Sequence, residues 1–164
     1  MRPSQLLTLL IFLTASFPSF AFQIDDYGDE IYQNMQPLKV SGDAIKWEVF
    51  FATKEKDECT IDEEGFDYCI TKPIYSPQIK SLHNTEVTLT GFMFPLESTT
   101  KQKNFLLGPF PPGCPFHYHV GPSQMVEVNL KDPIAFSFDP VTVKGVLSLD
   151  FNEETGVFYY LKNN

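Results

Sequence analysis

The residues after position 84 constrain the fold more than any others. TEVTLTGFMFPLE, KNFLLGPF, SQMVEVNL, VTVKGVLSLDF and GVFYYLK are short runs of β-branched and aromatic residues, each cut off by proline, glycine, asparagine or aspartate. Such side chains suit a pleated, half-buried surface, and the breakers end one strand before the next begins. About five strands in roughly 100 residues predict a mainly β domain, a small barrel or sandwich. The 13 prolines are scattered as strand terminators and are not gathered into a linker.

Upstream, IKWEVFFA alternates Ile45, Trp47, Val49 and Phe51 with Lys46, Glu48 and Phe50. That period predicts a half-buried strand, with a helix of similar length left open. Trp47, the only tryptophan, is the expected core anchor. Next, KEKDECTIDEEGFDYCITK is closed at both ends by cysteine. In an oxidising compartment Cys59 and Cys69 are the natural disulfide pair. Its acidic residues do not alternate as a calcium loop requires, so a solvated hairpin tip is the simpler reading. In PIYSPQIKSLHN, Ser76 can cap one short helix with Pro77 in its first turn, and His83 falls in the turn that precedes a strand. Phe92, Phe94, Phe105 and Phe110 read as core or rim aromatics.

Residues 1–21 join Arg2, the apolar run LLTLLIFLTA, Pro18 and the small residues Ser19 and Ala21. This is the pattern of a secretory signal cleaved after Ala21. The apolar run is too short to span a hydrocarbon core of ~30 Å, so no stable membrane insertion is expected once it is removed. An exported, periplasmic chain follows, with residues 22–44 as a poorly ordered or surface-laid arm and 45–164 as a single domain. The net charge of −9 becomes −10 when Arg2 leaves with the signal. A field of that sign repels phosphate backbones, which disfavours nucleic acid and leaves cations, metal ions or a basic protein surface as partners.

The segment best equipped for chemistry is FLLGPFPPGCPFHYHVGPSQMVEV, residues 105–128. It reads as two strands joined by a proline-stiffened loop. In extended backbone His117 and His119 face the same way, and Cys114 lies three residues before the first of them. A thiolate with two neutral imidazoles suits zinc or copper, with water, His83 or a carboxylate such as Glu127 completing the shell. Two other readings stand beside this one. Cys114 can be a small buried hydrophobe among partly exposed histidines, or a nucleophilic or redox thiol activated by His117 or His119.

The order and spacing of GFM-PLE, FLL-PF-C, P-MVEV and PV-V-G-L resemble the uncharacterised bacterial family known as domain of unknown function 3299, over residues 45–151. The resemblance implies an OB-like β-barrel, and it implies exported proteins and lipoproteins. Some of these lie beside ABC-type permeases in zinc-responsive gene clusters. An accessory role in metal handling next to a transporter or other envelope protein is therefore expected, with no enzymatic activity implied. Cys114 matches the family's loop cysteine. The Cys59–Cys69 excursion, the missing lipobox and His83 depart from the family pattern. A thiol-dependent enzyme using Cys114 and a metal-free interaction module are the competing function classes.

Overall fold

A computed structural model describes residues 35–61, 63–113 and 120–163. Residues 35–44 lie along the barrel. The Leu38 N–H donates to the Pro109 carbonyl at 3.0 Å, Ala44 forms a parallel bridge with Thr88, and the Ile45 N–H donates to the Thr88 carbonyl at 2.9 Å. The strand expected over IKWEVFFA is corrected here, because beyond Ile45 the chain turns into helix α1 (Glu48–Phe51). Alternation would have left Phe50 among the polar side chains. A helical turn buries Trp47 and Phe50 together, with ring centroids 5.2 Å apart, and lets the Trp47 indole N–H donate to the Thr90 carbonyl at 2.9 Å.

Strands β1 (Lys54–Ile61) and β2 (Asp67–Ile74) form an antiparallel hairpin in which Cys59 sits opposite Cys69 and is disulfide-bonded to it. The hairpin makes its own two-stranded sheet, and every residue of β1 is exposed. Helix α2 (Pro77–Lys80) starts as expected. The Ser76 hydroxyl accepts the Ile79 N–H at 3.3 Å, Pro77 occupies the first turn, and Ile79 is fully buried.

The remaining strands are β3 (Thr85–Pro95), β4 (Lys101–Gly108), β5 (Val126–Ala135), β6 (Val141–Ser148) and β7 (Tyr160–Asn163). They close into a barrel in the order β3-β4-β5-β7-β6. All pairings are antiparallel except β5 with β7. A five-stranded barrel with this order and one parallel pair is the arrangement of an OB fold. All five β runs predicted from the sequence become its staves.

Alternation along each stave fills the interior. Val87, Leu89 and Met93 point inward from β3, Val126, Val128 and Leu130 from β5, and Val143 and Leu147 from β6. Fully burying a side chain of this kind contributes about 1.5–3 kcal/mol, so the barrel rather than the hairpin holds most of the folding energy. Phe105 and Phe110 are buried as well, while Phe92 and Phe94 are half-buried on the other face of β3. Gly91 sits where a Cβ would come within 2.6 Å of the Gly108 carbonyl and 2.9 Å of the Trp47 ring. Its bare backbone lets α1 close that part of the barrel.

Two tyrosines tie the surrounding segments to the last stave. The Tyr159 hydroxyl donates to the Phe50 carbonyl at 3.2 Å, and burial pushes its pKa up to about 12. The Tyr75 hydroxyl lies 2.8 Å from the Phe158 carbonyl and 3.2 Å from that of Leu149, and burial raises its pKa too. Among the described residues no helix is long and apolar enough to cross a membrane.

Candidate functional site

The loop between β4 and β5 leaves and re-enters the barrel through two fixed feet. On the outgoing side Gly108, Pro109 and Phe110 are buried, and the Pro109 carbonyl is held by the Leu38 N–H. On the return side a 3-10 turn over Pro122–Gln124 begins with proline at its first position. The Glu55 carboxylate, reaching over from β1, accepts the Ser123 N–H at 3.0 Å. Gly121 presses against that same carboxylate, since a Cβ there would lie 2.9 Å from Glu55 Oε1. Cys114, His117 and His119 lie outside the described residues.

The cysteine chemistry is narrowed by the hairpin. The chain has three cysteines, and the expected Cys59–Cys69 bond takes two of them. Cys114 is left with no cysteine to pair with inside the chain.

His83 occupies the turn before β3, as expected. Its Nδ1 accepts the Leu149 N–H at 3.1 Å, and its Nε2 lies 3.0 Å from the Asn84 side-chain amide. Both ring nitrogens are engaged in shaping the turn, and Asn84 beside it takes a left-handed φ of 60°. Glu127 lies elsewhere, on the outer face of β5, between the inward-pointing Val126 and Val128. It lines an open groove of about 630 Å³ together with Asn129, Asp150, Glu153, Tyr160 and Lys162. Burial raises the Glu127 carboxyl above its usual range, and the Lys162 ammonium partly offsets that shift. His83 does not line this groove, so the two additional ligand candidates are not brought into one wall. Among the described residues no group of three or more His, Cys, Asp or Glu side chains is placed to hold a metal ion.

A family model described as protein of unknown function (DUF3299) matches residues 30–162. This chain belongs to the DUF3299 family. The match takes in the hairpin, the barrel and the whole β4–β5 loop. A crystal structure of a DUF3299 family protein from Pseudomonas aeruginosa PAO1 is similar, at 21% identity and a TM-score of 0.47. That similarity covers 56% of this chain and 63% of the other, so this chain spans less than two thirds of that protein's length. No curated protein matches the chain.

Sequence reasoning missed two features of this DUF3299 member. The first is Glu55, 68 positions from the amide it accepts, for which no local pattern exists. The second is the groove. Its outward residues Glu127, Asn129, Tyr160 and Lys162 follow the two-residue period of β5 and β7, a signal present in the sequence. Recognising the groove also required knowing that β5 and β7 are neighbours, with Glu127 beside Tyr160 and Asn129 beside Lys162.

Proposed function

We propose that this DUF3299 member is an exported binding protein with an accessory role in zinc or copper handling. Its metal ligands are Cys114, His117 and His119, on the loop between β4 and β5. The observation that supports this reading is the Cys59–Cys69 bond, which leaves one thiol, and that thiol stands within five residues of two of the chain's three imidazoles. Thiolate sulfur with two imidazole nitrogens is a donor set that fits a borderline-soft cation. In an oxidising compartment a ligating thiol is also protected from oxidation. His83 has both ring nitrogens engaged, so the fourth position falls to water or to a carboxylate such as Glu127. The buried outgoing foot and the Glu55-held return foot reduce the entropy lost when the loop closes on an ion.

Native mass spectrometry of the purified chain at micromolar zinc or copper tests the reading. One bound ion is expected, lost in Cys114→Ser and His117→Ala. An apo protein at that supply would overturn it. Fast alkylation of Cys114 at pH 6 in the same apo protein would instead favour a thiol-dependent activity, because an ordinary thiol with a pKa near 8.5 barely reacts there.

A further inference from the structure

The β1–β2 hairpin has features that neither the barrel nor the loop explains. A two-stranded hairpin is marginal in water unless something covers it. This one is exposed along all of β1 and over the outer half of β2. It is stapled by the disulfide near its free end, and at ~3.3 Å per residue its eight-residue strands extend about 25 Å. Its root is tethered to the barrel by Lys72, which bridges Glu58 at 3.1 Å and Glu153 at 3.0 Å. Its far end displays Ile61 at 72% exposure, Phe66 at 66% and Tyr68 at 53%. Ile61 stands opposite Asp67 and Tyr68 opposite Thr60, so Ile61 and Tyr68 leave opposite faces of the ribbon, with Phe66 just before β2, and the tip is apolar on both sides.

Charge narrows what can cover that tip. From Thr60 to Tyr68 the sequence carries four carboxylates, at positions 62, 63, 64 and 67, and no basic residue. The basic residues of the hairpin, Lys54, Lys56 and Lys72, all lie toward its root. A second copy would bring the same acidic tip and the same overall charge of −9, and anionic lipid or nucleic acid would be repelled likewise. We propose that the hairpin is a docking arm whose tip enters a cleft on another protein, with apolar walls that meet Ile61 on one face and Tyr68 on the other, Phe66 between them, and a rim of lysine or arginine. The disulfide keeps the arm in its binding shape before contact, which lowers the ordering cost of association. This reading is independent of the metal site.

The test places a photo-reactive benzoylphenylalanine at Phe66 in the full chain, in the cell that makes it, and identifies the cross-linked peptide. The expected product is a different protein, joined through a surface segment containing Lys or Arg. The affinity of that purified partner should fall at least tenfold in Ile61→Ser/Tyr68→Ser and in Glu63→Lys/Asp67→Lys, and should weaken with added salt. These positions are exposed, so the far-UV circular dichroism and melting midpoint of the variants should match the parent. Cross-links only to another copy of this chain, no cross-link, a contacted surface without basic residues, or an affinity unmoved by both double variants would each overturn the proposal.

Discussion

The Glu55 carboxylate accepts the Ser123 backbone N–H at 3.0 Å, joining the root of the exposed hairpin to the return foot of the β4–β5 loop. The bond acts where a short 3-10 turn has an unsatisfied N–H, and an ionised acceptor strengthens it. Because Glu55 is exposed, Glu55→Ala should cost only about 1 kcal/mol of global stability. Its larger effect should be local. Hydrogen exchange at the Ser123 amide should accelerate while exchange in β3 and β6 stays at the parent rate. Under the metal reading the same variant should bind zinc more weakly without losing the ion's stoichiometry. An unchanged Ser123 exchange rate would refute the anchoring role.

Reduction of the disulfide should separate the two sheets. Closing a loop of this length stabilises by roughly 3 kcal/mol on the chain-entropy model. The buried side chains belong to the barrel and its flanking helices, and β1 buries none. Cys59→Ser/Cys69→Ser should therefore fray residues 54–74 and open the tip to proteases, while the barrel's melting midpoint moves by only a few degrees. A loss of barrel protection in step with the hairpin would show that the two fold as one unit.

Much of this was legible because a barrel stave has a two-residue signature that breakers isolate. TEVTLTGFMFP could bury Val87, Leu89 and Met93 in only one way, and the structure follows it. IKWEVFFA misled because Ile45, Trp47, Val49 and Phe51 alternate, yet the pair buried deepest is Trp47 with Phe50, three apart. The out-of-phase Phe50 was the local clue to a helical turn. The closing pair of β5 with β7 and the reach of Glu55 depend on topology, which no window of sequence encodes.

Gln102, the second residue of β4, is fully buried and clasps the turn between β3 and β4 from inside. Its side-chain oxygen accepts the Glu97 N–H at 3.2 Å, and its amide nitrogen donates to the carbonyls of Glu97, at 2.9 Å, and Thr99. Gln102→Ala removes these bonds to the half-buried Glu97 and the exposed Thr99 and leaves a gap where the side chain was buried, at a cost of about 1–2 kcal/mol in urea denaturation. Gln102→Glu keeps the shape but cannot donate to the two carbonyls when ionised, so it should be no better tolerated at pH 7. A cost below about 0.5 kcal/mol for the alanine variant would mean that water replaces the clasp.

Two glutamates should give opposite pH dependences. Glu97 accepts the Asn104 side-chain amide at 2.8 Å and the Lys103 N–H at 3.2 Å, and these bonds, led by the one to Lys103, hold its carboxyl below the usual range. A depressed folded-state pKa contributes stability above the unfolded value, and that contribution is lost as pH falls through the folded one. Glu97→Gln should therefore be less stable than the parent at pH 7, with the gap closing in acid. The effect is small because the carboxyl lies at the surface and is only partly buried. Glu127 is the reverse case, raised by burial against the partial offset of Lys162. Above its unfolded value the folded state holds the proton more tightly, so stability declines as pH rises through the elevated folded value and stays lower beyond it. Glu127→Gln should then melt above the parent at pH 7 and converge with it at pH 4, and Lys162→Met should widen the parent's deficit at neutral pH. Thermal melts of the three variants at pH 4 and pH 7 provide the check. A Glu127→Gln variant that melts below the parent at pH 7 would mean that the ionised carboxylate is stabilised by groove partners more strongly than burial disfavours it.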